Sequence, residues 1–183
     1  MHDYKIHTLA SAPDSSKQAL ELLHKAFGLI PNLAATMAES PTLIDGFVGA
    51  ITNFARGTFT AGQRQLILLT SAVANNNAWA VAFHSTAALR DGVPATDVDA
   101  VRGGLLPASD RRSAALVSVS RALVLKRGAL DADDRAAFEA AGFTPAQLLE
   151  VIAGLGASMM ANYAGNITQP PLDEPFRAQA WRR

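Results

Sequence analysis

Apolar residues along this chain recur three and four positions apart, the spacing that stacks side chains on one face of a helix, and nowhere alternate convincingly with a period of two. The pattern predicts an all-α protein. A first helix starts near Asp14 or Ser15, carries Leu20, Leu23 and Phe27, and stops at Gly28. Pro31 and Asn32 open a short second helix through Met37. Ser40 and Pro41, a cap followed by proline at the first helical position, open a third that runs to about Arg56 with Leu43, Phe47, Ile51 and Phe54 inside. Further helices are predicted from Thr96 to Gly103, from Asp110 to Gly128 with Leu116, Leu123 and Val124 inside, and from Asp131 to Ala141. Thr144, Pro145 and Gln147 then start a long one through Leu148, Val151, Ile152, Leu155 and Met159 to about Asn166. Gln169, Pro170, Pro171 and Pro175 predict an extended tail over 168–183. Before the first helix, Tyr4, Ile6 and Leu9 pack as a short arm or fray.

The stretch 60–92, TAGQRQLILLTSAVANNNAWAVAFHSTAALRDG, organises the rest. Thr60 and Gln63 fit a capping box, and the helix they start is apolar nearly all round, so it is expected to be central. Asn75, Asn76 and Asn77 break it, and a second helix follows from Ala78 to Asp91, with Gly92 in the stop position. His84 is the only histidine inside a strongly apolar segment. Eight or nine helices with short links, and no long linker, make 1–183 a single domain.

Composition sharpens this by exclusion. Sixteen basic and sixteen acidic residues cancel, so no field draws the chain to nucleic acid or an anionic membrane. The pair Arg182 and Arg183 reads as solvated. There is no cysteine, which excludes disulfides, thiolate nucleophiles and thiolate metal sites. His2, His7 and His24 have no metal-ligand spacing, so no metal and no cofactor are expected. No signal peptide or membrane span is legible, and the expected location is cytoplasmic.

Several stretches, in this order, resemble the carboxymuconolactone decarboxylase-like, alkyl hydroperoxidase D-like proteins: LIPNLAATMAESPTLIDGF at 29–47, LTSAVANNNAWAVAFHSTAALRDGV at 69–93, AGFTPAQLLEVIAGLG at 141–156 and NYAGNITQPPLDEPF at 162–176. The resemblance implies that family's helical bundle and a homo-oligomer, trimeric or hexameric. In the peroxidase branch the signature is Glu, then Cys-x-x-Cys twelve residues on, then His four residues after the second cysteine. Here His84 matches the histidine, Ala80 and Asn77 fall on the two cysteines, and Gln65 falls on the glutamate. Alanine and asparagine supply no sulfur, and glutamine accepts no proton at neutral pH. Thiol-dependent peroxide reduction is therefore not expected, whatever the family label suggests. The decarboxylase branch does not use the cysteine pair, although the missing glutamate weakens that assignment too.

Two readings of the remaining groups stand, beside the residual peroxidase-related activity that the family label suggests. In one, His84 is an acid, base or hydrogen-bond donor in a small pocket with Gln65 and Asn77, walled by Ala80, Trp79 and Phe83, that binds a small organic molecule or does non-redox acid/base chemistry. In the other, the site is a relic in an oligomeric structural or interaction protein, with the space filled by side chains. Residue type alone favours core or interface anchors for Trp79 and Phe83, a simple helix cap for Asn77, a frayed helix end for Asn162, Tyr163 and Asn166, and an outer-face position for Glu150.

Overall fold

The computed structural model describes residues 4–182; His2 and Arg183 lie outside them. Among the described residues nine α-helices form the body: α1 Asp14–Phe27, α2 Asn32–Met37, α3 Pro41–Ala55, α4 Ala61–Ala74, α5 Ala78–Arg90, α6 Ala95–Arg102, α7 Arg111–Leu125, α8 Ala132–Ala140 and α9 Pro145–Thr168. No strand occurs among the described residues.

The helix starts form for the local reasons the sequence offers. Ser40, Thr60, Asn77, Asp110, Asp131 and Thr144 each accept a bond from the backbone amide three residues on. Capping boxes close at Thr60 and Thr144. Such a cap is worth about 1 kcal/mol. At the α4–α5 hinge, Asn76 takes a left-handed φ of 56°, and the Asn77 amide reaches back to the Ala72 carbonyl. Asparagine tolerates that backbone well, so the chain reverses in three residues and lays α5 antiparallel to α4.

Helix α4 is the centre. It packs on α5, α6, α7 and α9, and Leu66, Ile67, Leu68 and Leu69 are all buried. Burial of each stabilises the fold by roughly 1.5–3 kcal/mol. One core lies between α4, α7 and α9, with Phe54, Phe59, Phe138 and Phe143 at its end. A second lies under α5 and α6, and a third between α1, α2, α3 and α9.

Several expectations are corrected. On α3, Leu43, Phe47 and Ile51 pack against the cores as expected but stay half-buried, and Ile44 and Val48, which the pattern did not single out, are buried along with Phe54. Ile152 faces outward at 48% exposure, in line with Leu149, because α9 buries the face that meets its neighbouring helices, α3 and α4 foremost, and leaves the other to solvent. Helix α6 starts at Ala95, one residue early, since Pro94 supplies the backbone angle of the cap. The tail is not extended throughout: Glu174–Gln179 coil into a 3₁₀ turn whose Phe176 is buried against α5. In the N-terminal arm, Tyr4 and Ile6 are exposed, and the anchor is His7, whose ring bonds Ser11 O and Glu39.

Two small residues of α9 serve close contacts within the chain. A Cβ at Gly154 would meet the Phe54 ring at 2.7 Å, and one at Gly165 would strike the Asn77 amide. These two glycines let α9 approach α3 and the start of α5.

Candidate functional site

Six helices leave a cavity of about 370 Å³ between them. Helix α5 turns Trp79, Ala80, Phe83, His84 and Ala87 to it, a stripe at three- and four-residue spacing. Helix α4 contributes Arg64, Gln65 and Leu68, α3 contributes Phe47, Ile51 and Phe54, and α9 contributes Ser158 and Ala161. The half-buried Phe47 and Ile51 of α3 are thus cavity walls. The space exists partly because Ala80 and Ala87 have so little side chain on the face that carries His84.

The polar groups are ordered along one line. The His84 ring lies with Nδ1 3.0 Å from Gln65 Oε1. Gln65 Nε2 donates to Asp91 Oδ2 at 3.2 Å, and Arg90 Nε donates to Asp91 Oδ1 at 3.2 Å. The carboxylate takes the Gln65 amide N–H, so Gln65 presents its oxygen to the ring. A carbonyl oxygen only accepts, so Nδ1 carries the proton. Nε2 is left with its lone pair and no protein partner among the described residues. Burial pushes the imidazole from its ordinary 6.5 down to about 3, so it is neutral at pH 7. What surface it keeps faces the cavity.

Of the residues singled out from sequence, His84, Gln65, Ala80, Trp79 and Phe83 meet at this cavity, and Asn77 does not. Asn77 is 2% exposed; its Oδ1 caps Ala80 N at 3.0 Å and its Nδ2 donates to Asn162 O at 3.2 Å, so both polar atoms serve the junction of α5 with α9. Trp79 and Phe83 stack at 5.4 Å and 13°, and Phe176 from the tail packs edge-on against both. Asp173 accepts from the Trp79 indole at 3.0 Å and from the Asn32 amide, and burial raises its carboxyl above the ordinary range. The tail therefore braces the aromatic wall from behind. Glu150 accepts from Thr58 N and Oγ1, pinning the α3–α4 link away from the cavity.

Sequence reasoning missed four residues. Asp91 reads along the chain as a helix end, although it falls seven residues, two turns, after His84. Arg64 passed unremarked beside Gln65. Ser158 lies among the small residues Gly154, Gly156 and Ala157 of α9, where nothing in the sequence marks it. Asn162 is not frayed but fully buried, and its Nδ2 donates to Ser71 Oγ and Ser158 Oγ at 3.1 Å each; its i,i+4 spacing from Ser158 was the available signal. Tyr163 and Asn166, by contrast, are exposed, and Asn166 caps the Asn75 carbonyl. No group of three or more potential metal ligands occurs among the described residues.

Residues 38–123 match the family model described as "Carboxymuconolactone decarboxylase family". No curated protein matches the sequence. Solved structures share the fold. A peroxidase-related protein from Ralstonia eutropha JMP134 with an alkylhydroperoxidase AhpD core is 21% identical, with a TM-score of 0.84 over 95% of this chain and 93% of that one. A variant of the debrominase Bmp8 in complex with 2,3,4-tribromopyrrole is 17% identical, with a TM-score of 0.79 over 96% and 94%. A peroxidase-related protein from Silicibacter sp. TM1040 is 14% identical, with a TM-score of 0.77 over 97% and 93%. The matched segment spans α3 to α7 and so holds the whole Gln65–His84–Asp91 line; the chain thus carries a segment similar to the carboxymuconolactone decarboxylase family on a fold shared with an alkylhydroperoxidase AhpD-core structure, and its sequence has no cysteine.

Proposed function

We propose that this protein binds a small, flat, largely apolar organic molecule in the cavity over His84, with Nε2 accepting a hydrogen bond from it. The observation that carries the reading is the cavity itself. Where the family's second cysteine position holds Ala80, aromatic walls enclose about 370 Å³ instead of packing shut. Ligand pockets run from about 300 to 1,000 Å³, so the fit is to a single-ring molecule. The debrominase variant of the same fold holds a small aromatic heterocycle, which supports an occupant of that size.

The electronics favour binding over proton transfer. A general base works best with a pKa near the ambient pH. His84, at about 3, holds a proton too weakly at neutral pH to abstract one readily. Gln65 behind it brings no charge to stabilise an imidazolium, and Asp91 is one hydrogen bond farther away. Thiol chemistry has no sulfur to work with. Acid/base catalysis on the occupant is thus the second reading, and it requires a ligand that itself raises the His84 pKa.

A thermal-shift screen of single-ring aromatics, lactones and enones against wild type and His84→Ala tests this. A ligand at a hundred times its Kd adds about 2.7 kcal/mol, roughly 5–10 °C for a chain of this length. At least one compound is expected to give such a shift, reduced in His84→Ala. No shift with any of them would return the chain to the alternative of an oligomeric protein without a ligand.

A further inference from the structure

Resting on the cavity reading above, we propose that Arg64 is the anion anchor of this site and that the occupant is a small aromatic monocarboxylate. Two arginines line the cavity, and they differ in one respect. Arg90 has its counter-charge in Asp91, at 3.2 Å. Arg64 has no carboxylate within ion-pair distance among the described residues. It is half-buried, and its Nη1 donates to the Phe59 carbonyl. That bond orients the guanidinium and uses one of its five N–H donors. A carbonyl satisfies a donor but does not neutralise a charge. A half-buried cation against an apolar wall is left with a deficit that an anionic ligand would fill.

The rest of the cavity specifies the body attached to that anion. Trp79 and Phe83, stacked on each other, both line the cavity and give it an aromatic wall that suits a flat ring. The volume of about 370 Å³ holds one ring with a small substituent. Asp91, on the same wall, repels a second negative charge and is already paired, which argues for a monoanion over a dicarboxylate. His84 Nε2, an acceptor next to Gln65, favours a ring that also carries a hydroxyl.

The test is calorimetric titration of the full chain at low salt with benzoate and with its neutral isostere benzamide, in wild type, Arg64→Gln, Arg64→Lys and Ala80→Leu. A charge-assisted bond in this setting corresponds to roughly a ten- to hundredfold preference for benzoate. Wild type is expected to show that preference, Arg64→Gln to lose it with benzamide binding unchanged, and Arg64→Lys to keep part of it. Ala80→Leu, which fills the cavity, is expected to weaken both probes. Equal binding of the two probes by wild type, or an undiminished preference in Arg64→Gln, overturns the assignment of Arg64 and leaves the cavity reading standing. Binding of neither probe by wild type removes the cavity reading for single-ring molecules and the anchor with it.

Discussion

Replacing Gln65 by glutamate tests the account of His84 directly. In the wild type the drop from 6.5 to about 3 corresponds, at about 1.4 kcal/mol per pH unit, to about 5 kcal/mol of penalty on the charged ring. Burial is the cause, and the neutral Gln65 carbonyl at 3.0 Å does not offset it. A carboxylate in that place adds an attraction of about 4 kcal/mol at ordinary effective protein polarity, or about three pH units. Gln65→Glu is therefore expected to lift His84 to near 6. The gain is capped because the new carboxylate loses the N–H that served Asp91 and faces its charge. Nitrogen–proton correlation spectra of the ring, titrated from pH 3 to 8, read both the tautomer and the pKa. Wild type is expected to show the Nδ1–H form down to pH 4, and the variant to protonate near pH 6. The sign for stability follows from the same values. The wild-type ring binds its proton more weakly folded than unfolded, so its contribution is complete above pH 6.5 and is lost as pH falls toward 3. The variant loses less over that window. A wild-type His84 that titrates near 6.5, or an Nε2–H tautomer, would refute the reasoning.

Two further outcomes follow from the packing. Gly154→Ala places a methyl 2.7 Å from the buried Phe54 ring, so overpacking of roughly 1–3 kcal/mol should outweigh the gain of about 1 kcal/mol in helix propensity; urea denaturation at unchanged m-value measures the net loss. Phe176→Ala removes the ring that supports Trp79 and Phe83 from the tail; a stability loss of about 3 kcal/mol and weaker binding of any cavity ligand are expected, and retained affinity would show that the tail does not brace the wall.

Much of this protein is set by local chemistry and so can be read along the chain. Helix starts at Ser40, Thr60, Asn77, Asp110 and Thr144 depend on a side chain bonding an amide three residues away, and glycine stops depend on the backbone freedom of one residue. The central place of α4 follows from its lack of a polar face. The differences from the resembled peroxidase signature at Gln65, Asn77 and Ala80 are visible in the same way, because they lie at fixed spacings from His84. What tertiary structure alone decided is which side chains share a space. Ala80 and Asn77 are three residues apart, yet one opens the cavity and the other is locked under α9 by contact with Gly165 and the Asn162 carbonyl. Ile152 and Leu155 both fit the apolar spacing of α9, and only packing against α3 and α4 chose which would be buried. Asp91, Ser158 and Arg64 became part of a site only when α4, α5 and α9 met. Hydrogen bonds within a turn are written in neighbouring letters, whereas a cavity is the volume that distant helices fail to fill.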